Sequence, residues 1–308
     1  MGRLSGPLAD VAADAGYRGH PQRVGMFTDT SVCIGCKACE VACKEWNALP
    51  DPGPGVLGLT GMSYDNTGAL GANSWRHVAF IEQTVRAPSG DGAGAGDGAG
   101  AGDGAGAGDG EGATRWLMAS DVCKHCTHAA CLDVCPTGAL VRTEFGSVVV
   151  QPDVCNGCAY CVSACPFGVI DRREDDGRAW KCTLCYDRLR GGLEPACAKA
   201  CPTDSIQFGP LDELRETAAA RLDELHDAGE QGARLYGDDP GDGVGGAGAF
   251  FLLLDEPETY GLPPEPVVTT ADLPAMWKWA GIAAAALAAG IGAAFADHPL
   301  ASPRRWFR

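Results

Sequence analysis

Basic charge is scarce in this sequence: its 308 residues hold 24 Lys and Arg against 40 Asp and Glu, a formal net charge of −16. Wrapping nucleic acid and electrostatic attachment to anionic lipid both need clustered cations, so both are excluded. No Walker loop, dinucleotide fingerprint or nucleophile elbow occurs, which leaves phosphoryl transfer, nicotinamide chemistry and α/β-hydrolase chemistry without their usual carriers. No C-x-x-C-H occurs, so covalent haem is not indicated. Residues 1–30 hold neither an apolar h-region nor a twin-arginine pair, and no export signal is expected there.

Cysteine and glycine are in excess. Twelve of the 44 glycines fall between Ser89 and Gly112, in a period-six DGAGAG run expected to be a disordered loop (89–112) that joins no core. The nonapeptide period of calcium-binding β-rolls is absent from that run. Sixteen cysteines exceed ordinary usage but fall short of a small disulfide scaffold, so the count alone leaves metal, cluster and disulfide readings open.

Spacing separates these readings. The cysteines form four groups of four: Cys33, Cys36, Cys39, Cys43; Cys123, Cys126, Cys131, Cys135; Cys155, Cys158, Cys161, Cys165; and Cys182, Cys185, Cys197, Cys201. The third group, CNGCAYCVSACP, has the C-x2-C-x2-C-x3-C-P spacing at which three thiolates hold one cubane and the fourth ligates another. The second group widens one gap, and the fourth carries an eleven-residue insertion. The first has Lys44 where the others have proline. Sixteen thiolates saturate four [4Fe–4S] clusters with none spare. Zinc is the rival, since C-x2-C pairs also build tetrahedral zinc sites, but the closely following third cysteine and the Cys-Pro endings favour cubanes. Eight disulfides would need an exported chain. Each oxidised cubane with four thiolates carries about −2, so the loaded protein is more acidic than its composition.

With four thiolates per cluster, His125 and His128 read as packing around the ligands rather than as ligands. Lys37, Lys44, Lys124, Lys181 and Lys199 lie beside or between the cysteines, where they either offset cluster charge or form a solvated face. Nothing places Glu40, Glu45, Asp133 or Asp187 in a substrate pocket, and no catalytic residue is assigned.

Around the groups, Trp75–Arg86 and Thr114–Met118 read as a strand pair flanking the glycine run, and Ser147–Val150 and Ser205–Phe208 as short strands. Leu211, Leu214, Ala218, Leu222 and Leu225 fall at helical spacing ahead of Gly229, and Phe250–Leu254 reads as a buried strand. Tyr260–Pro266 is expected as an extended linker. Beyond it, Trp279–Ala296 runs 18 residues without a charge, about 27 Å as a helix against a bilayer core of about 30 Å, with tryptophans and basic residues at its ends. The alternative is an alanine-rich buried helix. If the segment spans, Arg304, Arg305 and Arg308 outnumber Lys278 and put the C-terminus in the cytoplasm, leaving the cysteine-rich body outside. Export as a folded passenger on a signal-bearing partner then accounts for the missing signal.

The four groups, in this order and with the insertion in the fourth, resemble the iron–sulfur electron-transfer subunits of membrane-bound molybdopterin oxidoreductases. The similarity is closer to the β subunits of respiratory formate dehydrogenases. It is carried by CIGCKACEVACKEWN (Cys33–Asn47), CPFGV (Cys165–Val169), KCTLCYDR (Lys181–Arg188), EPACAKACPT (Glu194–Thr203), YGDDPGDGVGG (Tyr236–Gly246), YGLP (Tyr260–Pro263) and MWKW (Met276–Trp279). The cysteine framework is shared with dimethyl sulfoxide, polysulfide and nitrate reductase relatives, and the C-terminal features point to formate. The DGAGAG run and the low hydrophobicity of the anchor depart from the family pattern.

The resemblance implies an α+β fold of two ferredoxin-like two-cluster units within residues 31–210. An N-terminal segment (1–30) precedes it, and a C-terminal extension (211–275), one transmembrane helix (276–297) and a basic tail (298–308) follow. It implies four ligand sets: Cys33, Cys36, Cys39 with Cys201; Cys43 with Cys182, Cys185, Cys197; Cys123, Cys126, Cys131 with Cys165; and Cys135 with Cys155, Cys158, Cys161. The implied partners are a molybdopterin catalytic α subunit and a cytochrome b γ subunit, and the implied role is an electron relay from formate oxidation to quinone. The same relay in a dimethyl sulfoxide or polysulfide reductase is the alternative, and a zinc-stabilised, membrane-tethered binding module is the reading from another class.

Overall fold

Strands from the two ends of the chain build the main sheet. A computed structural model describes residues 10–50, 67–85, 113–270 and 273–296; the glycine run and the basic tail lie outside them. After a short helix α1 (Val11–Asp14), capped by the Asp10 carboxylate, strand β1 (Val24–Asp29) leads through a 3-10 turn (Thr30–Val32) into the first cysteine group and helix α2 (Ala38–Trp46). Strands β2 (Arg76–Val85) and β3 (Ala113–Val122) pair antiparallel in one register, Arg76 opposite Val122 through Val85 opposite Ala113. This is the strand pair expected around the glycine run.

The second and third groups follow. Helix α3 (Ala130–Asp133) precedes the hairpin β4 (Leu140–Arg142) and β5 (Val148–Val150), and helix α4 (Tyr160–Ala164) precedes β6 (Asp171–Arg172) and β7 (Ala179–Trp180). The fourth group carries α5 (Tyr186–Arg190) and α6 (Ala196–Lys199), then β8 (Ile206–Pro210), helix α7 (Leu211–Asp227), β9 (Arg234–Tyr236) and β10 (Ala249–Leu253). Helix α7 buries Leu211, Leu214, Ala218 and Leu225, the expected stripe, and Gly229 stands just past its C-cap with φ +97°.

The main sheet has the order β8-β1-β10-β9, with β1 antiparallel to β8 and parallel to β10. Strand β1 precedes the first cysteine group and β9 and β10 follow the fourth, yet they share one sheet with β8, because the pairing joins residues far apart in the chain, Thr28 with Ile206 and Met26 with Ala249, which local pattern does not register.

Two helix pairs organise the cysteines: α2 packs on α6, and α3 on α4. An outer unit therefore joins the first and fourth groups, and an inner unit joins the second and third. The expected linker lies against the body: Pro257–Tyr260 is a 3-10 turn, Leu262 and Val268 are buried, and Val268 packs with Ala130 and Ala164 of the inner unit and with Val244 of the β9–β10 loop. Thr270 Oγ1 donates to Asp133 at 2.7 Å. The segment straps the outer unit to the inner one because its apolar residues find core rather than water. Beyond it, α8 (Leu273–Ala296) contains a 21-residue apolar stretch, Ala275–Phe295, long enough to cross a membrane and wholly unburied by the rest of the described residues.

Candidate metal centres

The first C-x2-C pair of each group closes on a residue in the left-handed region just before its second cysteine: Gly35 (φ 64°), His125 (46°), Gly157 (73°) and Leu184 (57°). Such turns aim backbone N–H groups inward and make concavities for anionic groups, iron–sulfur clusters among them. Leu184 N–H donates to Cys182 Sγ at 3.3 Å, and the Gly35 amide bonds Cys33. Glycine takes this conformation freely at positions 35 and 157. His125 and Leu184 hold it as side-chain-bearing residues at a cost of about 1–2 kcal/mol each, so the ligand loops store strain.

The structure brings the sixteen thiols into four neighbourhoods. Cys33, Cys36, Cys39 and Cys201 line one cavity, and Cys123, Cys126, Cys131 and Cys165 line another. Cys43 faces Cys182, Cys197 and Cys185, and Cys161 faces Cys135, Cys155 and Cys158. The neighbourhoods also form a row. Cys39 of the first lies near Cys197 of the second, Cys182 of the second near Cys123 of the third, and Cys131 of the third near Cys161 of the fourth. Cys36 and Cys158, at the two ends of the row, are solvent-exposed, whereas Cys43, Cys123, Cys182, Cys185 and Cys197 are buried.

Burial dominates the thiol chemistry. It pushes Cys39 up to about 11, Cys131 and Cys182 to about 12 and Cys161 to about 11, with neighbouring thiols adding in the same direction. Thiols held this way ionise only when a cation binds them, so metal uptake must release protons.

Buried cations offset the thiols. Arg76 Nη2 donates to Cys197 Sγ at 3.2 Å and Met26 Sδ at 3.1 Å, and its Nη1 donates to Ser120 O at 3.0 Å. Ser120 Oγ in turn lies 3.2 Å from Cys39 Sγ. Lys181 Nζ donates to Cys123 Sγ at 3.4 Å, to Cys182 O at 3.0 Å and to Val148 O. Burial opposes its charge, but Cys123, Cys131 and Cys182 outweigh that and raise its pKa. Arg142 clamps the second group's loop by donating to Cys126 O at 3.0 Å and Thr127 O at 2.8 Å. Lys124 is buried too, but it pairs with Asp121 and lies over the rings of Phe167 and Phe251.

These placements decide the lysine alternatives left open by sequence. Lys124 and Lys181 are 2 % exposed and form no solvated face, while Lys199 is on the surface, paired with Glu194. Arg76, Ser120 and Arg142 escaped the sequence reading. Arg76 left one signal: it stands in phase with Val78 and Phe80, on the face of β2 that the strand pattern assigns to the core.

Cubane clusters suit the donor sets. Four thiolates on one zinc ion stand about 3.8 Å apart, from a Zn–S bond of about 2.3 Å in tetrahedral geometry. Among the described residues no group of three or more His, Cys, Asp or Glu converges that tightly on one ion. The thiols instead surround cavities. His125 gives a second indication: Val148 N–H donates to its Nδ1 at 3.1 Å, which leaves the ring proton on Nε2, and that atom is buried without a partner on a residue lining the cavity of Cys123, Cys126, Cys131 and Cys165. An anionic sulfur cluster bound there would supply the acceptor.

Two stretches, 32–139 and 114–211, match families described as 4Fe-4S dicluster domains. The chain is 37% identical over 283 residues to the iron-sulfur subunit of the nitrate-inducible formate dehydrogenase of Escherichia coli, covering 91% of this chain and 84% of that one. It is 35% identical over 296 residues to the formate dehydrogenase-O iron-sulfur subunit of the same organism, covering 94% and 87%. A subunit of the anaerobic dimethyl sulfoxide reductase of that organism is 34% identical over 193 residues, covering 62% of this protein and 76% of that subunit. The cysteine framework, the ferredoxin-like units and identity across most of both chains together establish that the protein belongs to the family of formate dehydrogenase iron–sulfur subunits.

Proposed function

We propose that the chain relays electrons singly from a molybdenum- or tungsten-pterin subunit that oxidises formate, through four [4Fe–4S] clusters, to a membrane cytochrome b and then to quinone. The observation that carries this reading is the row of four thiol sets with an exposed cysteine at each end. The first cluster belongs to Cys33, Cys36, Cys39 and Cys201, and the second to Cys43, Cys182, Cys185 and Cys197. The third belongs to Cys123, Cys126, Cys131 and Cys165, and the fourth to Cys135, Cys155, Cys158 and Cys161. When bound, the clusters supply one-electron redox chemistry.

The protein's task is to hold these centres close and dry. The helix pairs α2–α6 and α3–α4 draw each quartet together, and burial of the middle thiols excludes water from the interior of the row. A relay needs no general acid or base, and none is assigned. The exposed ends are entry and exit points, Cys36 beside exposed Ile34 and Cys158 beside exposed Tyr160 and Val154. The strap supports a direction of flow: Thr270, just before α8, bonds Asp133, which lies between Cys131 and Cys135. The anchor is thus rooted at the third and fourth sets, and the first set faces the catalytic subunit. The body lies on the extracytoplasmic side with the C-terminus in the cytoplasm, carried out by a signal-bearing partner. Formate is favoured over dimethyl sulfoxide because the formate dehydrogenase subunits match far more of this chain.

Iron and acid-labile sulfide in anaerobically purified complex should equal four cubanes per chain; zinc without sulfide refutes the cluster assignment. Cys135→Ala should abolish formate-dependent quinone reduction in membranes, and undiminished reduction by that variant overturns the relay. A reporter enzyme fused after Arg308 should be active only on the cytoplasmic side.

A further inference from the structure

Four lysines and arginines are buried among the described residues: Arg76, Lys124, Arg142 and Lys181. Lys124 has Asp121, and Arg142 donates to the carbonyls of Cys126, Thr127 and Gly146 and has Asp133 nearby, its charge also bearing on Cys126 and Cys131 of the third set. Arg76 and Lys181 differ. Each is 2 % exposed, and among the described residues neither has a carboxylate partner. A buried cation without an anion is strongly disfavoured, so these two positions require negative charge close by. Thiolates of the cysteine sets, ionised once they ligate clusters, would be the anionic groups in reach.

Their places are not equivalent to any others in the row. Arg76 touches Cys197 of the second set and, through Ser120, Cys39 of the first. Lys181 touches Cys123 of the third set and precedes Cys182 of the second in the chain, bonding that residue's carbonyl. One cation therefore stands at the junction of sets one and two, the other at the junction of sets two and three. Among the described residues no cation bonds a thiol at the junction of sets three and four. The fourth set's thiols are met instead by neutral groups, the Ala179 amide on Cys155 at 3.4 Å and the Thr137 hydroxyl at 3.7 Å from Cys135.

We propose that Arg76 and Lys181 are positioning charges that set the potential profile of the relay, raising the first, second and third clusters and leaving the fourth the hardest of the four to reduce. This rests on the four-cluster reading. Reduction adds one negative charge to a cluster, and a fixed cation beside it stabilises the reduced form. The second cluster is flanked by both cations, the first by Arg76, the third by Lys181 with Arg142 on its far side, and the fourth by none of them. Electrons entering at the first set collect on the first three clusters, and delivery at the fourth runs uphill, driven by the next electron to arrive.

The test is an electron-paramagnetic-resonance redox titration of the full complex, with iron and sulfide content measured on the same samples. Lys181→Met should lower the second and third clusters, and Arg76→Gln the first and second, each by at least about tenfold in the reduced-to-oxidised ratio at fixed potential, equivalent to about 59 mV for one electron. The fourth cluster should not move. Lys181→Arg and Arg76→Lys should restore the potentials, a rescue that a purely structural role does not predict in the titration. Where a neutral variant loses iron, Met26→Glu gives the same reading without removing a cation: Met26 Sδ lies on Arg76, and a carboxylate there should lower the first two clusters. Unchanged potentials in a fully loaded Lys181→Met, Arg76→Gln or Met26→Glu complex overturn the proposal. Wild-type complex lacking the iron and sulfide of four cubanes overturns the reading beneath it instead.

Discussion

The outer and inner units carry the same ligand loops, yet different amounts of protein stand behind them. In the outer unit a four-stranded sheet is covered by α7, and Phe27, Phe250, Leu252, Leu211 and Ala218 form a core that contains no cysteine, with the Phe27 and Phe250 rings stacked at 5.3 Å. In the inner unit the hairpins pair only three and two residues per strand. Its core is Ala129, Leu140, Val148, Ile170 and Ala179 packed among Cys161 and partly buried cysteines. So little apolar surface cannot offset the entropy of ordering that much chain, and small units of this kind depend on metal. The outer unit is a scaffold that holds clusters; the inner unit is a fold that clusters hold.

Iron removal should break the comparison open most widely. In anaerobic chelator, amides of β4, β5, β6 and β7 should exchange with solvent like those of an unfolded chain, while β1 and β10 keep protection by hydrogen-exchange mass spectrometry. Equal loss in both units would mean that the outer core does not stand alone. Next in size is Phe250→Ala, in the outer core. Deleting a fully buried ring costs about 3–5 kcal/mol, and denaturant melts of the loaded protein should show the loss in the outer sheet first.

Two matched substitutions then sharpen the contrast between ligand loops. A Cβ on Gly157 would meet the Gly177 carbonyl oxygen at 2.4 Å, a backbone atom that cannot step aside, whereas one on Gly35 would meet the Phe80 ring and Met118 Sδ at 2.6 and 2.7 Å. Both alanines carry the left-handed strain of about 1–2 kcal/mol. Gly157→Ala should therefore cost more than Gly35→Ala, read as lower iron retention at the fourth cluster than at the first. The smallest effect belongs to the strap. Thr270→Val removes one hydroxyl bond to Asp133, worth about 1 kcal/mol, and should raise protease sensitivity around residues 262–270 without changing iron content.

Much of the architecture was legible in the chain. The β2–β3 pair, the stripe of α7 and the buried strand around Phe250–Leu253 follow from periodicity, because each is a local pattern answering to a nearby apolar face. Less legible was anything that depends on where a residue's face ends up. Tyr260–Pro266 reads as linker from its prolines, yet its Leu262 and the following Val268 are buried against the body. Lys181 reads as one of five comparable lysines, yet it is sealed beside Cys123, because burial of a long cation depends on what the third dimension puts around it.

The sequence by itself determined the number and spacing of the cysteine groups, the local loop geometry and the length of the apolar helix, since spacing along a chain sets which thiols can share one turn. Tertiary structure decided which quartets meet, how the sets line up and which cations stand between them. A C-x2-C-x2-C loop presents three thiols to one cavity on its own, but the fourth comes from chain that must return, and that return is set by β1 pairing with β8, α2 packing on α6 and α3 packing on α4.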